Sequence, residues 1–187
     1  LHPAQIVNKE LSMVQKQELQ TTEKQAIARY AASLIEPDDC VYLDAGTTTG
    51  WMIEYIRQEK ATYITNALSH AKRLADKGFS VILIGGEPKS STDAIVGGEA
   101  VLNLQKYHFS KGFFGVNGVD RLSGFTTPDV KEAVVKQAAV KNTQPAHRYF
   151  LTTSSKFGEV YAVTFAGFEG GVILTEDSIS EVLPKSI

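Results

Sequence analysis

Three hydroxyls behind a glycine, Gly46-Thr47-Thr48-Thr49, follow Asp44 at the end of a short apolar stretch, Val41-Tyr42-Leu43. After Gly50 comes Trp51-Met52-Ile53-Glu54-Tyr55-Ile56, apolar at helical spacing, so the run reads strand, tight loop, helix. Such a loop gathers backbone N–H groups and the positive end of a helix dipole at one point, which suits an anion. Gly46 lets the backbone come close to a ligand, and Thr47, Thr48 and Thr49 each offer a hydroxyl to a phosphate oxygen. An ordinary loop with a threonine cap has the same composition, and the run is neither a Walker loop nor GxGxxG. It stays a lead at this point.

The elements that must hold this loop follow a regular rhythm. Ile27, Tyr30, Ala31, Leu34 and Ile35 make a helical stripe that ends at Pro37 and feeds the strand at 41–44. A strand at 61–65 is followed by Asn66, placed to cap a helix with Leu68, Ala71, Leu74 and Ala75. A strand at 79–84 ends in Gly85-Gly86, and a polar stretch at 87–93 leads to a short helix with Val101, Leu102 and Leu104. Another strand covers 112–116. Thr127-Pro128 then reads as a cap and first helical position for a helix carrying Val130, Val134, Val135 and Ala138. The strongest later strands are 149–151 and 172–174.

Several strands are continuous apolar runs, as expected when both sheet faces are covered. The expected fold is an open, mostly parallel α/β sheet flanked by helices, Rossmann-like, with ligands beyond the carboxyl ends of its strands. Polar or glycine residues fall at five such ends: Asp44 to Thr49, Asn66, Gly85-Gly86, Asn117 to Asp120, and Thr152 to Lys156. Singly, each has a plainer reading: Asn66 as a cap, Gly86 as a turn, Asp120 as a solvated turn residue and Lys156 as a surface lysine.

With 187 residues, 43% hydrophobic and 21% charged, the chain has material for one domain, or one domain plus an extension. A net charge of −2 carries no footprint of a nucleic-acid surface. The single cysteine, Cys40, excludes an internal disulfide and a cysteine-based zinc site; it reads as a buried thiol and fits a reducing cytoplasm. His2, His70, His108 and His147 have no metal-ligand spacing, so no metal is expected. The sequence contains no apolar run of membrane-spanning length and no signal-peptide pattern.

Taken in order, these segments resemble the sensor domain of the DeoR family of bacterial sugar-operon repressors. The resemblance rests on Glu23-Lys24 with Ile27-Ala28, Asp44-Ala45-Gly46-Thr47-Thr48-Thr49, Thr65-Asn66, Gly85-Gly86, Val96-Gly97 and Gly115-Val116-Asn117-Gly118-Val119-Asp120. It continues through Gly124-Phe125-Thr126-Thr127, Glu132-Ala133 with Lys136, and Ser154-Ser155-Lys156-Phe157-Gly158, covering about residues 23–175. The resemblance implies a fold similar to ribose-5-phosphate isomerase and glucosamine-6-phosphate deaminase, a phosphorylated sugar as effector, and no cofactor. It also implies a homo-oligomer that represses a catabolic operon through an N-terminal winged helix-turn-helix. Residues 1–20, which start at Leu1 and read as a weak helix or linker, would be the tail of a linker from that DNA-binding domain, and residues 21–187 the sensor.

Carried over by position, Gly46, Thr47 and Thr48 would hold the phosphate with Lys156 as the positive charge. Asp44, Asn117, Asp120 and Glu132 would face sugar hydroxyls, with Gly118 in the same run, and Asn66 and Gly86 would line the pocket. The family often has aspartate before Ser-Ser-Lys-Phe-Gly, where this chain has Thr153; the loss of that carboxylate bears on which sugar is accepted. A sugar-phosphate isomerase is the alternative. Isomerases carry Gly-Ala-Asp-Glu-x-Asp where Asn117 and Gly118 replace the two leading acids, and an amide cannot act as the base that moves a proton between carbons. Asp120, Asp129 and Glu132 stay available, but the reading favours a sensor.

Overall fold

The computed structural model describes residues 5–6 and 21–177. A two-residue strand, β1 (Gln5–Ile6), precedes helix α1 (Thr21–Ser33). Strand and helix then alternate through β2 (Cys40–Leu43), α2 (Thr47–Tyr55), β3 (Thr62–Thr65), α3 (Leu68–Asp76) and β4 (Ser80–Leu83). A hairpin of β5 (Glu87–Pro88) and β6 (Ile95–Val96) leads to α4 (Gly98–Leu104) and β7 (Lys111–Gly115). Next come β8 (Gly118–Asp120), β9 (Gly124–Thr127), α5 (Val130–Lys141) and β10 (Arg148–Leu151). The last described strands are β11 (Glu159–Val160), β12 (Val163–Ala166) and β13 (Val172–Leu174).

Six strands form one sheet in the order β13-β10-β7-β2-β3-β4, and every neighbouring pair is parallel. From β2 the chain steps outward through β3 to β4, then returns to β7 and steps the other way through β10 to β13. The sheet is therefore doubly wound, and its direction reverses between β2 and β7. The crevice beyond the carboxyl ends of the strands at such a reversal is the usual ligand position.

Alternation along the strands builds a core on each face of the sheet. Val41, Leu43, Tyr63 and Phe113 pack on one side against Ile27 and Ala31 of α1 and Met52 and Ile53 of α2. Tyr42, Ile64, Phe114 and Phe150 pack on the other against Ala100 and Leu104 of α4 and Ala133, Val135 and Ala139 of α5. Phe113, Phe114 and Phe150 are fully buried; truncating one to alanine is expected to cost about 3–5 kcal/mol, because lost transfer energy and a residual cavity add.

Several expectations need correction. Asn66 does not cap α3: Ala67 holds that position, and Ser69 N–H donates instead to Asp93 Oδ2 at 3.0 Å. Thr127 does not cap α5; it ends β9, and Asp129 is the cap, accepting from Lys131 N–H at 2.7 Å. Residues 117–127, to which the sequence reading assigned no strand, contain β8 and β9, which join β12 in an antiparallel sheet. β4 is an edge strand, so its Ile82 and Leu83 are exposed rather than covered. In α5 the buried face is Glu132, Ala133, Val135, Lys136, Ala139 and Val140, while Val130 and Val134 point outward. Within the expected linker, Gln5–Ile6 pairs in parallel with β11; the rest of 1–20 lies outside the described residues.

Candidate functional site

A cleft opens where the sheet reverses. Gly46, Thr47 and Thr48 line it after β2, Gly115, Val116 and Asn117 after β7, and Thr152, Thr153 and Lys156 after β10. Lys24 enters from α1, Thr92 from the β5–β6 turn, and Glu132 and Lys136 from α5. Gly46 turns the chain into α2 at φ +142°, a conformation that side chains rarely adopt, and no side chain caps the helix. The N–H groups of a first helical turn have no acceptor within the helix, so α2 begins as a donor-rich, positive terminus at the cleft wall.

Two buried lysines set the electrostatics. Lys24 Nζ donates to Thr47 Oγ1 at 2.9 Å, fixing a cation against the glycine-threonine loop. Lys136 Nζ pairs with Asp44 Oδ2 and donates to Gly115 O at 3.0 Å. Burial pushes the Asp44 carboxyl above its ordinary range; Lys136 and the Gly115 N–H, at 3.0 Å, work against that rise. Glu132 has both oxygens engaged, Oε2 by Lys89 at 3.0 Å and Oε1 by Thr92 at 2.9 Å. Burial alone would raise its carboxyl, but the charges of Lys136 and Lys89 and the bonds from Lys89 and Thr92 hold it below the ordinary value. Lys89 also bridges to Asp129 at 2.6 Å, which ties the β5–β6 turn to the start of α5.

Of the residues singled out from sequence, the structure brings Gly46, Thr47, Thr48, Asn117, Glu132 and Lys156 to this cleft. Asp44 lies beneath it, 1% exposed, its carboxylate turned to Lys136 and Gly115 instead of outward. Thr49 is fully buried, and its hydroxyl donates to Asp44 O at 2.6 Å, which leaves it to accept from His70 Nε2 at 3.1 Å. Asn66 staples loops together, accepting from Ala45 N–H and donating to Ile95 O, each at 3.1 Å. Gly86 sits where a Cβ would meet Val96 O at 2.7 Å, and a Cβ on Gly118 would collide with the Glu159 carbonyl. Asp120 closes the β8–β9 turn by accepting from Leu122 and Ser123 N–H. These six shape the walls and do not line the cleft.

Sequence reasoning passed over Lys24, Thr92, Thr127, Lys136 and Tyr161 as lining residues. A signal existed for two. Lys24 falls three residues before Ile27 on the buried stripe of α1, and Lys136 follows Glu132 by one turn on the buried face of α5. A charge on a core-facing stripe needs a partner or a ligand. Thr92 carries no such mark, because it reaches the cleft only through the hairpin. Thr153, in place of the family's aspartate, is 2% exposed and lies at the lining.

Among the described residues no cluster of three or more His, Cys, Asp or Glu could hold a metal ion, and no helix is long and apolar enough to cross a membrane. A doubly wound parallel sheet with a hydroxyl- and lysine-lined cleft at its reversal defines an open α/β domain of the class that holds ligands at that point. The chain belongs to the DeoR C-terminal sensor-domain family, whose profile matches residues 19–178. The HTH-type transcriptional regulator FruR of Bacillus subtilis (strain 168), itself described as uncharacterized, is 44% identical over 170 residues, 90% of this chain and 67% of that protein. The lactose phosphotransferase system repressor of Staphylococcus aureus (strain N315) is 39% identical over 154 residues, 81% of this chain and 60% of that protein. This chain thus spans about three fifths to two thirds of the length of these relatives. Ribose 5-phosphate isomerase A from Neisseria gonorrhoeae superposes with a TM-score of 0.52 at 11% identity, over 72% of this chain and 52% of that one, a likeness of fold alone.

Proposed function

We propose that the cleft binds a phosphorylated sugar and that the chain is the effector-sensing part of a cytoplasmic repressor of a carbohydrate catabolic operon. Operator contact falls to a helix-turn-helix domain outside this sequence. The observation that carries the reading is the meeting, at the sheet reversal, of the Gly46-Thr47-Thr48 loop and α2 terminus with Lys24 and Lys156. Donor-rich backbone and two ammonium groups suit a phosphate, to which lysine acts as a compact point charge. Asn117, Thr127 and Glu132, on the other side of the cleft, offer amide, hydroxyl and carboxylate groups to sugar hydroxyls. Asp44 serves by holding Lys136 in place. The relatives' names, a regulator and a lactose-system repressor, support the regulatory reading.

The same geometry favours sensing over isomerisation. An isomerase needs a carboxylate free to take a proton from carbon. Glu132, the carboxylate that lines the cleft, is bound on both oxygens and held below its ordinary basicity, while Asp44 is buried against Lys136. Ligand acts by its difference in affinity for two arrangements of the protein, shifting the one that fits the operator.

Thermal melts with a panel of sugar phosphates and their unphosphorylated partners test this. At a ligand concentration of a hundred times Kd the stabilisation is about 2.7 kcal/mol, or about 5–10 °C for a domain of this size. A selective rise with a phosphorylated sugar is expected. No rise with any member of the panel contradicts the reading. Lys156→Met and Lys24→Met are each expected to weaken that binding about ten-fold or more, the loss of one charge-assisted hydrogen bond.

A further inference from the structure

The turn that carries Lys156 is held from outside the cleft. Past β10 the ladder runs one residue further, with Thr152 N–H donating to Leu174 O at 3.1 Å. The chain then makes a short 3-10 turn, Ser154–Lys156, and leaves it toward β8, where Gly158 N–H donates to Val119 O at 2.8 Å. Thr153 stands at the cap position of this turn without making a cap bond, and its hydroxyl pairs with Ser155 Oγ at 2.8 Å. The carboxylate that meets the turn comes instead from Glu176, two residues beyond β13. Ser154 N–H donates to both of its oxygens, at 2.9 and 3.0 Å, and the Ser154 hydroxyl donates to Oε1. A carboxylate suits the N–H groups that open a helical turn, since these have no acceptor within it. Glu176 is half-buried and does not line the cleft.

We propose that Glu176 is the positioning residue for Lys156: it sets the affinity for phosphate through Ser154 and touches no ligand itself. The proposal rests on the reading of the cleft as a phosphate site. Within the turn, Lys156 N–H donates to Thr153 O and Phe157 N–H to Ser154 O, each at 3.1 Å. So short a helical piece is not stable by its own bonds. Clamping Ser154 to the end of β13 ties it to the six-stranded sheet and fixes the base of the long, flexible Lys156 side chain before a ligand arrives. Ordering that would otherwise be charged against binding is then already complete. Charge alone predicts the opposite sign. As an anion bonded to the turn that carries Lys156, Glu176 repels a phosphate there, so its removal should by Coulomb's law strengthen binding. Removal of the clamp should weaken it. The sign of the effect separates the two roles.

The test is a titration of the chain with inorganic phosphate, read by the 31P line width, together with amide hydrogen exchange in the absence of ligand. Glu176→Ala is expected to bind phosphate about three- to ten-fold more weakly than wild type, the order of a lost charge-assisted support. Added to Lys156→Met, it is expected to change nothing further, because the clamp acts through that lysine. Amide exchange at residues 154–157 is expected to quicken about ten-fold or more in Glu176→Ala, while residues 47–50 keep their protection. Should Glu176→Ala fail to fold, Glu176→Gln, which keeps one acceptor oxygen, is read in the same cycle with a smaller loss expected. Unchanged or tighter phosphate binding in a Glu176 variant, where wild type binds, overturns the proposal. So do losses that multiply in the double variant, or exchange at 154–157 equal to that of wild type. A wild type that leaves the phosphorus signal unperturbed overturns the reading of the cleft itself, and the proposal with it.

Discussion

Strand β2 is bracketed by two aspartates, each paired with a lysine, and the two pairs serve opposite ends of the domain. At its start Asp39 accepts from Lys111 at 2.7 Å, from Glu36 N–H at 2.8 Å and from Ser110 at 2.8 Å. Burial alone would raise the Asp39 carboxyl, but these bonds outweigh it and hold the group below its ordinary range. At the other end Asp44 is buried more deeply, its carboxyl stands above the ordinary range, and Lys136 reaches it from beside an open cleft. A pair whose hydrogen bonds are complete is scaffold. A pair that leaves its cation at a cavity wall is available for binding, and stability there is spent on a poised charge.

The largest effect should come from breaking each pair at its lysine. Lys111→Met strands a buried carboxylate and is expected to lower stability by about 3–5 kcal/mol, as read by urea unfolding, with sugar-phosphate affinity unchanged in the folded fraction. Lys136→Met is expected to lower both stability and affinity. Equal affinity in the two variants would erase the distinction between the two ends.

Next in size is a pH effect from the buried support of the glycine-threonine loop at 46–49. His70, beside Thr49, is held neutral: burial, with the Arg73 charge adding to it, lowers its pKa from 6.5 to about 4. Its Nδ1 has no hydrogen-bond partner among the described residues. Because the folded pKa lies below the unfolded one, His70 contributes its full stabilisation above pH 6.5 and loses it as pH falls toward 4. The shift corresponds to about 3 kcal/mol over that window. His70→Gln keeps a donor for Thr49 without the titration, so the difference in unfolding free energy between wild type and variant should fall across this range. A constant difference would place the ring in a wetter site. The smallest effect is expected at Asp120: Asp120→Ala should leave ligand affinity within about two-fold, since the residue bonds its own turn, and surface changes of this kind are usually slight. A ten-fold loss would move the cleft toward β8.

How far the site was legible depended on how local its signals were. The β2–α2 loop declared itself because strand, glycine, hydroxyls and helix are contiguous, and Gly46, Thr47 and Thr48 do line the cleft. The six-stranded sheet was legible for the same reason: each βα unit is written in one stretch of apolar periodicity. Lys24, Thr92 and Lys136 were harder, because they lie far from the loop along the chain and only tertiary packing joins them to it, as the 23-residue separation of Lys24 and Thr47 illustrates. Asp44 misled for a physical reason. A carboxylate at a strand end looks like a ligand group, yet the strand's last pleat turned it inward to Lys136. The apolar run of α5 misled in the opposite sense, since Val130 and Val134 are hydrophobic but face outward. Periodicity locates a helix; it does not say which stripe is inside when both carry apolar residues.

The central claim, a phosphate-binding sensor cleft without turnover, is tested most directly by the 31P NMR spectrum of the sugar phosphate selected by the melts, recorded with and without the chain. The account predicts that the phosphorus resonance shifts or broadens on binding, that Lys156→Met abolishes most of the change, and that the same compound is recovered after prolonged incubation. An unperturbed resonance, or the growth of a second sugar-phosphate signal, would contradict it.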